Sequence, residues 1–527
     1  MDIRKQKDII SKMNKGKQKK DDASFGKKKK QSFAGKQGKT LSDEDSFYEN
    51  KRNKEWEDES SFSGKKGNRQ WEDESSFSGK KGNRQWEDED SFSGKKGNRQ
   101  WEDEDSFSGK RAVTNAVARK EISKSERASR NAKIAERSIK GRNKEAGIKS
   151  RCPVSKKCGG CQMIDIPYAE QLKIKRGRVQ ELIGDYVKVD PFIGMDEPEH
   201  YRCKVHAVFT HDQKGNPLSG IYSEGTHNVV PVEECLLENA KADEIIGTIR
   251  GMLKSFKIKV YDEDNGFGLL RHVLIRVGHE SGQIMVVLIL TSPIFPSKNN
   301  FVKALLKIHP EITTIVININ DKDTSMVLGD KEKAIYGPGF ITDTMCGMKF
   351  KISPKSFYQI NPIQTTKLYS KAVELAGLTG KERVLDCYCG VGTIGLIASP
   401  KAKEVIGVEL NADAVKDAII NARQNDVKNI TFYQNDASKF MLQMANAGES
   451  ADVVFMDPPR SGSTPVFLQA MLRLAPKRVV YISCSPDSLA VDLKFITEHG
   501  YKAEKAIPVD MFPFTRSVET VVLLSRE

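Results

Sequence analysis

Hydrophobic residues fall into two successive patterns in this chain, and both begin after residue 150. Between residues 162 and 350, short apolar runs alternate with turns, for example at 272–277, 283–290 and 313–318. Such runs are typical of strands, and we expect an α+β domain with an antiparallel sheet. After residue 361, apolar strands alternate with helical patterns instead. This second pattern predicts an α/β domain built on a parallel sheet.

The first helix of the α/β domain has clear signals at both ends. Asn361 is a good N-cap, and Pro362 suits the first helical position. The helical pattern runs to about Ala376, and Gly377 can adopt the left-handed conformation that ends a helix. We therefore predict a helix from Pro362 to Ala376.

A later apolar run, Val479 to Ile482, predicts a buried strand that stops at Cys484, because Ser485 and Pro486 follow it. A thiol at that point lies at the rim of the sheet, where open α/β folds bind ligands. An isolated cysteine is more often a small, inert core residue. The residues around Cys484 must decide between these two interpretations.

Residues 1–111 lack both patterns and predict a disordered low-complexity arm. A 15-residue unit recurs there, with Trp at positions 56, 71, 86 and 101, and one aromatic pair per repeat cannot bury a core. Its aromatic and basic residues either bind single-stranded RNA by stacking and charge or form a spacer without function. Residues 112–150, rich in Ala, Lys and Arg, predict a basic helical linker whose apolar face is too sparse to promise stable packing.

The net charge of +14 is concentrated in the N-terminal part of the chain. Residues 1–150 hold 39 Lys and Arg against 27 Asp and Glu, whereas the other 377 residues hold 46 against 44. This asymmetry favours a polyanionic partner, most simply nucleic acid, although a basic tail can also serve solubility alone. With no apolar leader and no run of 18 apolar residues, we expect a cytoplasmic protein without membrane contact. No obligate protein partner is indicated.

Acidic residues follow successive strands of the predicted parallel sheet. Glu409 ends the strand 404–409, Asp436 follows the next strand, and Asp457 follows a third. Because the carboxyl ends of parallel strands meet at one edge, an acid there can bind both hydroxyls of a ribose. The three positions therefore predict a nucleoside-containing cofactor.

The turn after the strand 383–386 carries Gly390 and Gly392. Glycines in such a turn let the backbone approach a ligand and expose the amides of the following helix. The third glycine of a dinucleotide-binding loop is missing from this turn. S-adenosylmethionine is therefore favoured as cofactor, and a nicotinamide dehydrogenase is the alternative.

Together these segments resemble the RNA 5-methyluridine (uracil-C5) methyltransferases, over the chain from about Arg151 to the C-terminus. The matching motifs are Ser356-Phe357-Tyr358-Gln359-Ile360-Asn361, Asp386-x-Tyr388-Cys389-Gly390-x-Gly392-Thr393, Asp457-Pro458-Pro459-Arg460-Ser461-Gly462, Ser483-Cys484-Ser485-Pro486 and Ser517-Val518-Glu519-Thr520-Val521. The resemblance implies a Rossmann-like methyltransferase domain at 356–527 that depends on S-adenosylmethionine. An iron–sulfur and RNA-binding α+β domain at 151–355 is expected before it.

The resemblance also implies the catalytic roles. Uracil C5 is a poor nucleophile, and a thiolate that adds to C6 turns C5 into an enolate carbon able to attack a methyl group. Cys484 matches the family's nucleophile, and Glu519 matches the base that removes the C5 proton. Without the resemblance, Glu519 would be a solvated residue at a strand end. The target base must leave its stack, or be presented in a loop, to reach the thiol.

A cofactor and target-base site follows from the same resemblance. The matching positions are Gln359, Tyr388, Glu409, Asp436 and Asp457. Thr393 and Asp436 stand where some relatives carry Asn. Many relatives also begin with a small RNA-binding β-barrel, whereas this chain has the charged repeats and the basic helix there. RNA affinity is therefore expected to depend on the N-terminal arm.

Three cysteines, Cys152, Cys158 and Cys161, open the folded region, with two glycines between the last two. Zinc sites usually use two C-x2-C pairs and only one is present, while thiolate spacing in iron–sulfur proteins varies. The resemblance implies a [4Fe–4S] cluster with a distant fourth ligand, which Cys235 matches; Cys203 is the alternative. Disulfides are disfavoured in a reducing compartment.

The sequence thus predicts an enzyme that methylates C5 of a uridine in 23S ribosomal RNA through a covalent cysteine–C6 adduct. The iron–sulfur motif favours ribosomal RNA as the substrate. The same chemistry on the T-loop of transfer RNA is the first alternative. A non-catalytic RNA-binding or ribosome assembly factor is the second, and the presence of both Cys484 and Glu519 argues against it.

Overall fold

The computed structural model describes residues 108–147, 149–324 and 326–527, with side chains from Lys124 onward. The repeats that the sequence predicts as a disordered arm lie outside the described residues. None of the described helices is both long and apolar enough to cross a membrane.

Helices and strands alternate along most of the described chain. In chain order the helices are α1 (Ser108–Glu145), α2 (Ser155–Cys158), α3 (Tyr168–Ile183), α4 (Ala240–Met252), α5 (Lys298–Ile308), α6 (Pro362–Ala376), α7 (Thr393–Ala398), α8 (Ala412–Gln424), α9 (Ala437–Asn446), α10 (Pro465–Leu474) and α11 (Pro486–Thr497). The strands are β1 (Lys204–His211), β2 (Pro217–Tyr222), β3 (Val229–Pro231), β4 (Leu270–Val277), β5 (Ile284–Leu290), β6 (Ile312–Ile319), β7 (Lys331–Tyr336), β8 (Ile341–Met345), β9 (Met348–Ile352), β10 (Arg383–Cys387), β11 (Glu404–Glu409), β12 (Ile430–Gln434), β13 (Val453–Met456), β14 (Arg478–Ser483), β15 (Tyr501–Val509) and β16 (Glu519–Arg526).

The first sheet contains seven strands in the order β3-β2-β1-β4-β5-β6-β7. Five of its six neighbouring pairs are antiparallel, as the sequence predicts. The prediction is wrong for β5 and β6, which run parallel. A parallel neighbour needs a crossover connection, and α5 provides it by packing Phe301 and Leu305 into the core of this sheet.

The second sheet also has seven strands, in the order β12-β11-β10-β13-β14-β16-β15. The strands from β10 to β14 run parallel, and β16 and β15 add an antiparallel pair at one edge. Both faces of the sheet are covered: Val454 and Tyr481 belong to one core cluster, and Phe455 and Val480 to another. This architecture confirms the predicted Rossmann-like α/β fold.

The predicted bounds of α6 are confirmed, since the helix begins at Pro362 and ends at Ala376. The Asn361 side chain accepts a hydrogen bond from the backbone N–H of Gln364, and Gly377 has a left-handed φ of 57°. Local capping chemistry alone therefore sets this helix, which leads into the second sheet.

α3 precedes the first sheet in sequence but packs on the second. Its Val179 and Leu182 join the core of the second sheet. The buried Lys175 ammonium lies 2.6 Å from the Asp510 carboxylate and donates to the Phe512 carbonyl oxygen at 3.1 Å. These contacts fix the segment between β15 and β16.

α1 packs against α3 and α11, although its sparse apolar face does not promise stable packing. Among its described side chains, Ala128 and Ile139 are the buried apolar ones. Polar contacts supplement them: Arg516 donates to both carboxylate oxygens of the buried Glu136, at 2.8 and 2.6 Å. Lys140 adds a hydrogen bond of 2.7 Å to the Gln162 carbonyl oxygen. An apolar pattern alone cannot reveal a helix held in this way.

Candidate active site

The carboxyl ends of the parallel strands open into a cleft of about 840 Å³. This is the edge at which open α/β sheets bind ligands, and the volume suits a small molecule together with a nucleobase. Six of the seven residues predicted as catalytic or cofactor-binding line the cleft: Gln359, Tyr388, Glu409, Asp457, Cys484 and Glu519. Residues from five separate motifs thus meet at one place.

Strand pairing brings Cys484 and Glu519 together. Cys484 directly follows the last residue of β14, and Glu519 is the first residue of β16. The two strands are antiparallel, with Ser483 opposite Thr520. The two functional groups therefore stand at adjacent strand ends, on the side of the sheet that faces the cleft.

The charges around the thiol control its ionisation. Burial, together with the carboxylates of Glu519 and Asp457, raises the pKa of Cys484 to about 11. The Arg460 guanidinium acts in the opposite direction. Formation of a thiolate therefore depends on positive charge in the cleft.

Glu519 is buried beside the thiol. Burial raises its pKa to about 8, with the Asp457 carboxylate adding to the shift and Arg460 opposing it. A carboxyl group that titrates near neutrality can both take up and release a proton at working pH, which is what general base catalysis requires.

The glycine turn after β10 forms one wall of the cleft. The Gly390 N–H donates to one oxygen of Glu409 at 3.0 Å, and the Asn411 N–H donates to the other at 2.8 Å. Tyr388 has a left-handed φ of 62°, a conformation that non-glycine residues adopt mainly where the surrounding structure enforces it. Gly390 lines the cleft, and a Cβ atom at this position would meet no other atom within 4 Å. The backbone there is open to a ligand.

Two buried acids stand at the base of the same edge. Asp386 accepts a hydrogen bond of 2.8 Å from the Gly395 N–H through Oδ2, while its Oδ1 has no partner among the described residues. Burial raises the pKa of Asp386 and that of Asp457 to about 7 each. A cationic ligand in the cleft would favour their ionised forms, so a sulfonium compound fits this donor set.

Gln359 is held by its backbone. The Cys203 thiol donates to the Gln359 carbonyl oxygen at 3.5 Å, and the Cys203 N–H donates to the Ile360 carbonyl oxygen at 2.8 Å. The Gln359 side chain donates to the Tyr369 hydroxyl at 3.4 Å. The first sheet thereby positions an amide in the cleft through β1, which begins next to Cys203.

Asp436 is the predicted residue that does not line the cleft. Its carboxylate accepts the Lys439 N–H at 3.0 Å and so caps α9. It follows β12, the edge strand furthest from β14 in the parallel part of the sheet. Its cofactor contact stays a prediction.

Several residues in the cleft were not predicted to act there. Arg460 lies within a matching motif, but no role followed from its position; Arg202 comes from the segment before β1. Phe357 also lines the cleft and is 71% exposed. Lone arginines carry no periodic signal, whereas the aromatic residue next to Gln359 stood inside a quoted motif and could have been found.

Four cysteines gather beside α2. Cys152, Cys161 and Cys235 pack against one hydrophobic cluster, and burial together with the nearby thiols of Cys235, Cys158 and Cys152 raises the pKa of Cys161 to about 12. Cys203 is not among the groups that shift this pKa. Within the described part of the chain, no three His, Cys, Asp or Glu side chains are close enough to hold a single metal ion. The four thiols are ligands of the type that binds iron–sulfur clusters.

Glycine lets the cysteine loop turn tightly. Gly159 ends α2 with a φ of 66°, and a Cβ there would lie 2.6 Å from the Cβ of Glu224. Since no side chain fits at that distance, the loop between Cys158 and Cys161 can close only with glycine at this position.

Most of the chain is similar to known proteins. A family model described as tRNA (uracil-5-)-methyltransferase matches residues 167–527. An uncharacterized RNA methyltransferase of Halalkalibacterium halodurans is 41% identical over 382 residues, 72% of this chain and 83% of the relative. One of Caldanaerobacter subterraneus is 40% identical over 379 residues, 71% and 84% of the two chains. The crystal structure of Pyrococcus abyssi tRNA (uracil-54, C5)-methyltransferase in complex with S-adenosyl-L-homocysteine is similar with a TM-score of 0.59 and 25% identity, over 70% of this chain and 86% of that one.

Proposed function

We propose that this chain, which belongs to the tRNA (uracil-5-)-methyltransferase family, methylates C5 of a specific uridine in 23S ribosomal RNA. It is an S-adenosylmethionine-dependent RNA methyltransferase by its family and its relatives. The observation that carries the proposed mechanism is the adjacency of Cys484 and Glu519 at the ends of β14 and β16.

The chain's own residues suit the methyl donor. Glu409 would hold the ribose, and the backbone at Gly390 allows close approach. Asp457 lines the cleft and Asp386 is buried near the end of β10, and a bound cation would favour the ionised form of both acids. When bound, S-adenosylmethionine supplies an electrophilic methyl group on a positively charged sulfur.

In the proposed reaction the Cys484 thiolate forms a bond to C6 of uracil. The electron pair of the C5–C6 double bond shifts towards C5 and the C4 carbonyl, and C5 would then bond to the methyl group as the methyl–sulfur bond of the donor breaks and S-adenosyl-L-homocysteine leaves. Glu519 removes the remaining proton from C5, the C5–C6 double bond re-forms, and the thiolate leaves. The product is 5-methyluridine, and Cys484 returns to its starting form.

Arg460 serves both residues in this scheme. Its guanidinium lowers the pKa of Cys484 and that of Glu519. The same positive charge therefore favours the nucleophilic form of the thiol and the basic form of the carboxylate. The uridine must leave its stack to bring C6 to the thiol, because a nucleobase inside a helix cannot enter the cleft.

We also propose a [4Fe–4S] cluster on Cys152, Cys158, Cys161 and Cys235. The mutual influence of these thiols supports it, and Cys203, the alternative ligand, is instead bonded to the Gln359 backbone. In anaerobically purified protein, Cys235→Ala is expected to lose iron and the broad visible absorption of a cluster. Cys203→Ala should keep the iron and the visible absorption. Loss of both in Cys203→Ala but not in Cys235→Ala would make Cys203 the fourth ligand instead of Cys235.

Transfer RNA is the alternative substrate, favoured by the Pyrococcus abyssi structure, whose protein acts on uracil 54 of tRNA by its name. Ribosomal RNA is proposed because the cysteine motif resembles the iron–sulfur branch that acts on it.

Methyl transfer from labelled S-adenosylmethionine to undermethylated 23S RNA and to transfer RNA distinguishes the two substrates. We expect label in 23S RNA, at a uridine located by mapping, and no label with Cys484→Ala. Label in transfer RNA alone would replace the proposed substrate. Label in neither, with RNA still bound, would instead support a non-catalytic assembly factor.

A further inference from the structure

α1 is fixed against the rim of the cleft. Its Glu136 is 2% exposed and receives both hydrogen bonds of the Arg516 fork. Arg516 stands between Thr515 and Ser517, which both line the cleft. A bidentate pair with one buried partner holds its geometry well. One face of α1 is therefore held in place beside the active site.

A different face of α1 carries unpaired positive charge. Arg130, Lys133 and Arg137 are exposed, and their spacing of three and four residues places them on one side of the helix. None of the three has a carboxylate within ion-pair distance among the described residues. We call these three residues the basic stripe. The stripe extends about 10 Å along the helix axis at the usual rise per residue.

The basic stripe borders a groove of about 680 Å³ between α1, α3 and α11. Arg178 of α3 and Asp487 of α11 line the groove as well, and Arg178 lies 2.5 Å from Asp487. Asp487 also accepts a hydrogen bond from Ser125. Its negative charge is thus matched by Arg178, which leaves Glu126 as the remaining acid against the stripe.

The groove is connected to the cleft through neighbouring residues. Ser129 and Arg178 line the groove and also a small cavity that Arg516 lines, and Arg516 stands between the cleft residues Thr515 and Ser517. These residues mark a path from the groove towards the cleft. Positive side chains along such a path attract a polyanion.

We propose that the groove binds the phosphate backbone of the RNA that flanks the target uridine. The inference rests on the proposed function, since it takes RNA as the substrate. The basic stripe lies before the family match at 167–527, whereas Arg178 and Asp487 of the groove lie within it. Phosphate contacts of this kind position a substrate without reading its sequence.

The test compares two triple variants of the full chain that lose equal charge. Arg130→Gln/Lys133→Gln/Arg137→Gln removes the basic stripe. Lys259→Gln/Lys303→Gln/Lys307→Gln removes three exposed lysines that line neither the groove nor the cleft. Methyl transfer to RNA is measured for both over a range of salt concentrations, and circular dichroism melting shows whether each variant is folded.

The stripe variant is expected to raise the KM for RNA about tenfold and to change kcat less than about twofold. The slope of log KM against the logarithm of the salt concentration should be smaller by about 2, because three phosphate contacts are lost. The control variant should match the wild type. Equal KM values and equal salt slopes in the two triple variants would overturn the proposal.

Fluorescence anisotropy with a labelled 23S RNA fragment separates this proposal from the proposed function, because binding needs no catalysis. Weaker binding by the stripe variant alone supports the groove even when the fragment is not methylated. Failure of the wild type to methylate any RNA would defeat the proposed function instead.

Discussion

At the scale of residues, Cys484 and Glu519 each stand in an environment that suppresses the form the reaction needs. Burial and neighbouring carboxylates raise the pKa of both groups. Arg460 opposes both shifts, and a cation bound in the cleft would add to its effect. Positive charge in the cleft therefore favours the reactive forms of both groups.

The pH dependence of kcat/KM follows from Glu519. With a pKa raised to about 8, its carboxyl is mostly neutral at lower pH and cannot accept the C5 proton. We expect kcat/KM for RNA to rise throughout the range from about pH 6 to about pH 9, because the Cys484 thiol, whose pKa is raised to about 11, also gains its reactive form as the pH rises. Initial rates at constant ionic strength measure this.

The variant Arg460→Gln gives a second test of the pH dependence. Arg460→Gln removes the charge that lowers the pKa of both groups, so the rise in kcat/KM should move to higher pH. A profile that is flat or falls over this range in the wild type would contradict the assignment of Glu519 as the base.

The sequence predicted individual site residues better than it predicted their surroundings. Cys484 and Glu519 were named from motifs, but their adjacency depends on the antiparallel pairing of β14 with β16, which no motif contains. Asp436 was named because it follows a strand, yet that strand is at the sheet edge and the carboxylate caps a helix. The order of the strands in the sheet, which the sequence does not reveal, places Cys484 and Glu519 side by side and Asp436 at the sheet edge.

At the scale of elements, α6 and α1 mark what sequence can and cannot predict. The cap at Asn361 and the stop at Gly377 are local signals, and the helix has the expected bounds. α1 is held by long-range contacts, among them Glu136 with Arg516, 380 residues away. Its apolar pattern was correctly seen as sparse, but packing depended on polar partners that lie elsewhere in the chain.

Arg516→Gln is expected to loosen α1. The change removes the partner of the buried Glu136 carboxylate, and a buried acid without its partner destabilises a fold. Because Arg516 itself is 42% exposed, we expect a modest loss of about 1–2 kcal/mol and faster proteolysis within residues 108–147.

Arg127→Gln is the control on the same helix. Arg127 pairs with Glu181 but is 64% exposed, so its loss should change stability by less than about 0.5 kcal/mol. Equal proteolysis rates for the two variants would show that the Glu136–Arg516 pair does not hold α1.

At the scale of the whole molecule, the two sheets are joined by contacts that cross the order of the sequence. α3 precedes the first sheet yet packs into the core of the second, and its Lys175 pairs with Asp510 beyond β15. The two hydrophobic patterns predicted one mainly antiparallel sheet and one mainly parallel sheet, and the structure has both. The contacts that join them come from single residues and were not predictable.

Two truncations test whether α1 is part of the folded molecule. Removal of residues 1–107 leaves every described contact in place, so the melting temperature should equal that of the full chain. Removal of residues 1–150 exposes the surface covered by Ala128 and Ile139 and frees Arg516. The melting temperature should then fall by several degrees, from loss of about 1–3 kcal/mol. Equal melting temperatures for the two truncations would contradict the docked helix.

The most direct test of the central claim uses Glu519→Gln with S-adenosylmethionine and the RNA substrate. If Cys484 bonds to C6 and Glu519 removes the C5 proton, the reaction stops after methyl transfer. Denaturing electrophoresis should then show a covalent complex of protein with methylated RNA, and Cys484→Ala/Glu519→Gln should show none. Free 5-methyluridine formed at the wild-type rate by Glu519→Gln, or any methylation by Cys484→Ala, would contradict the mechanism.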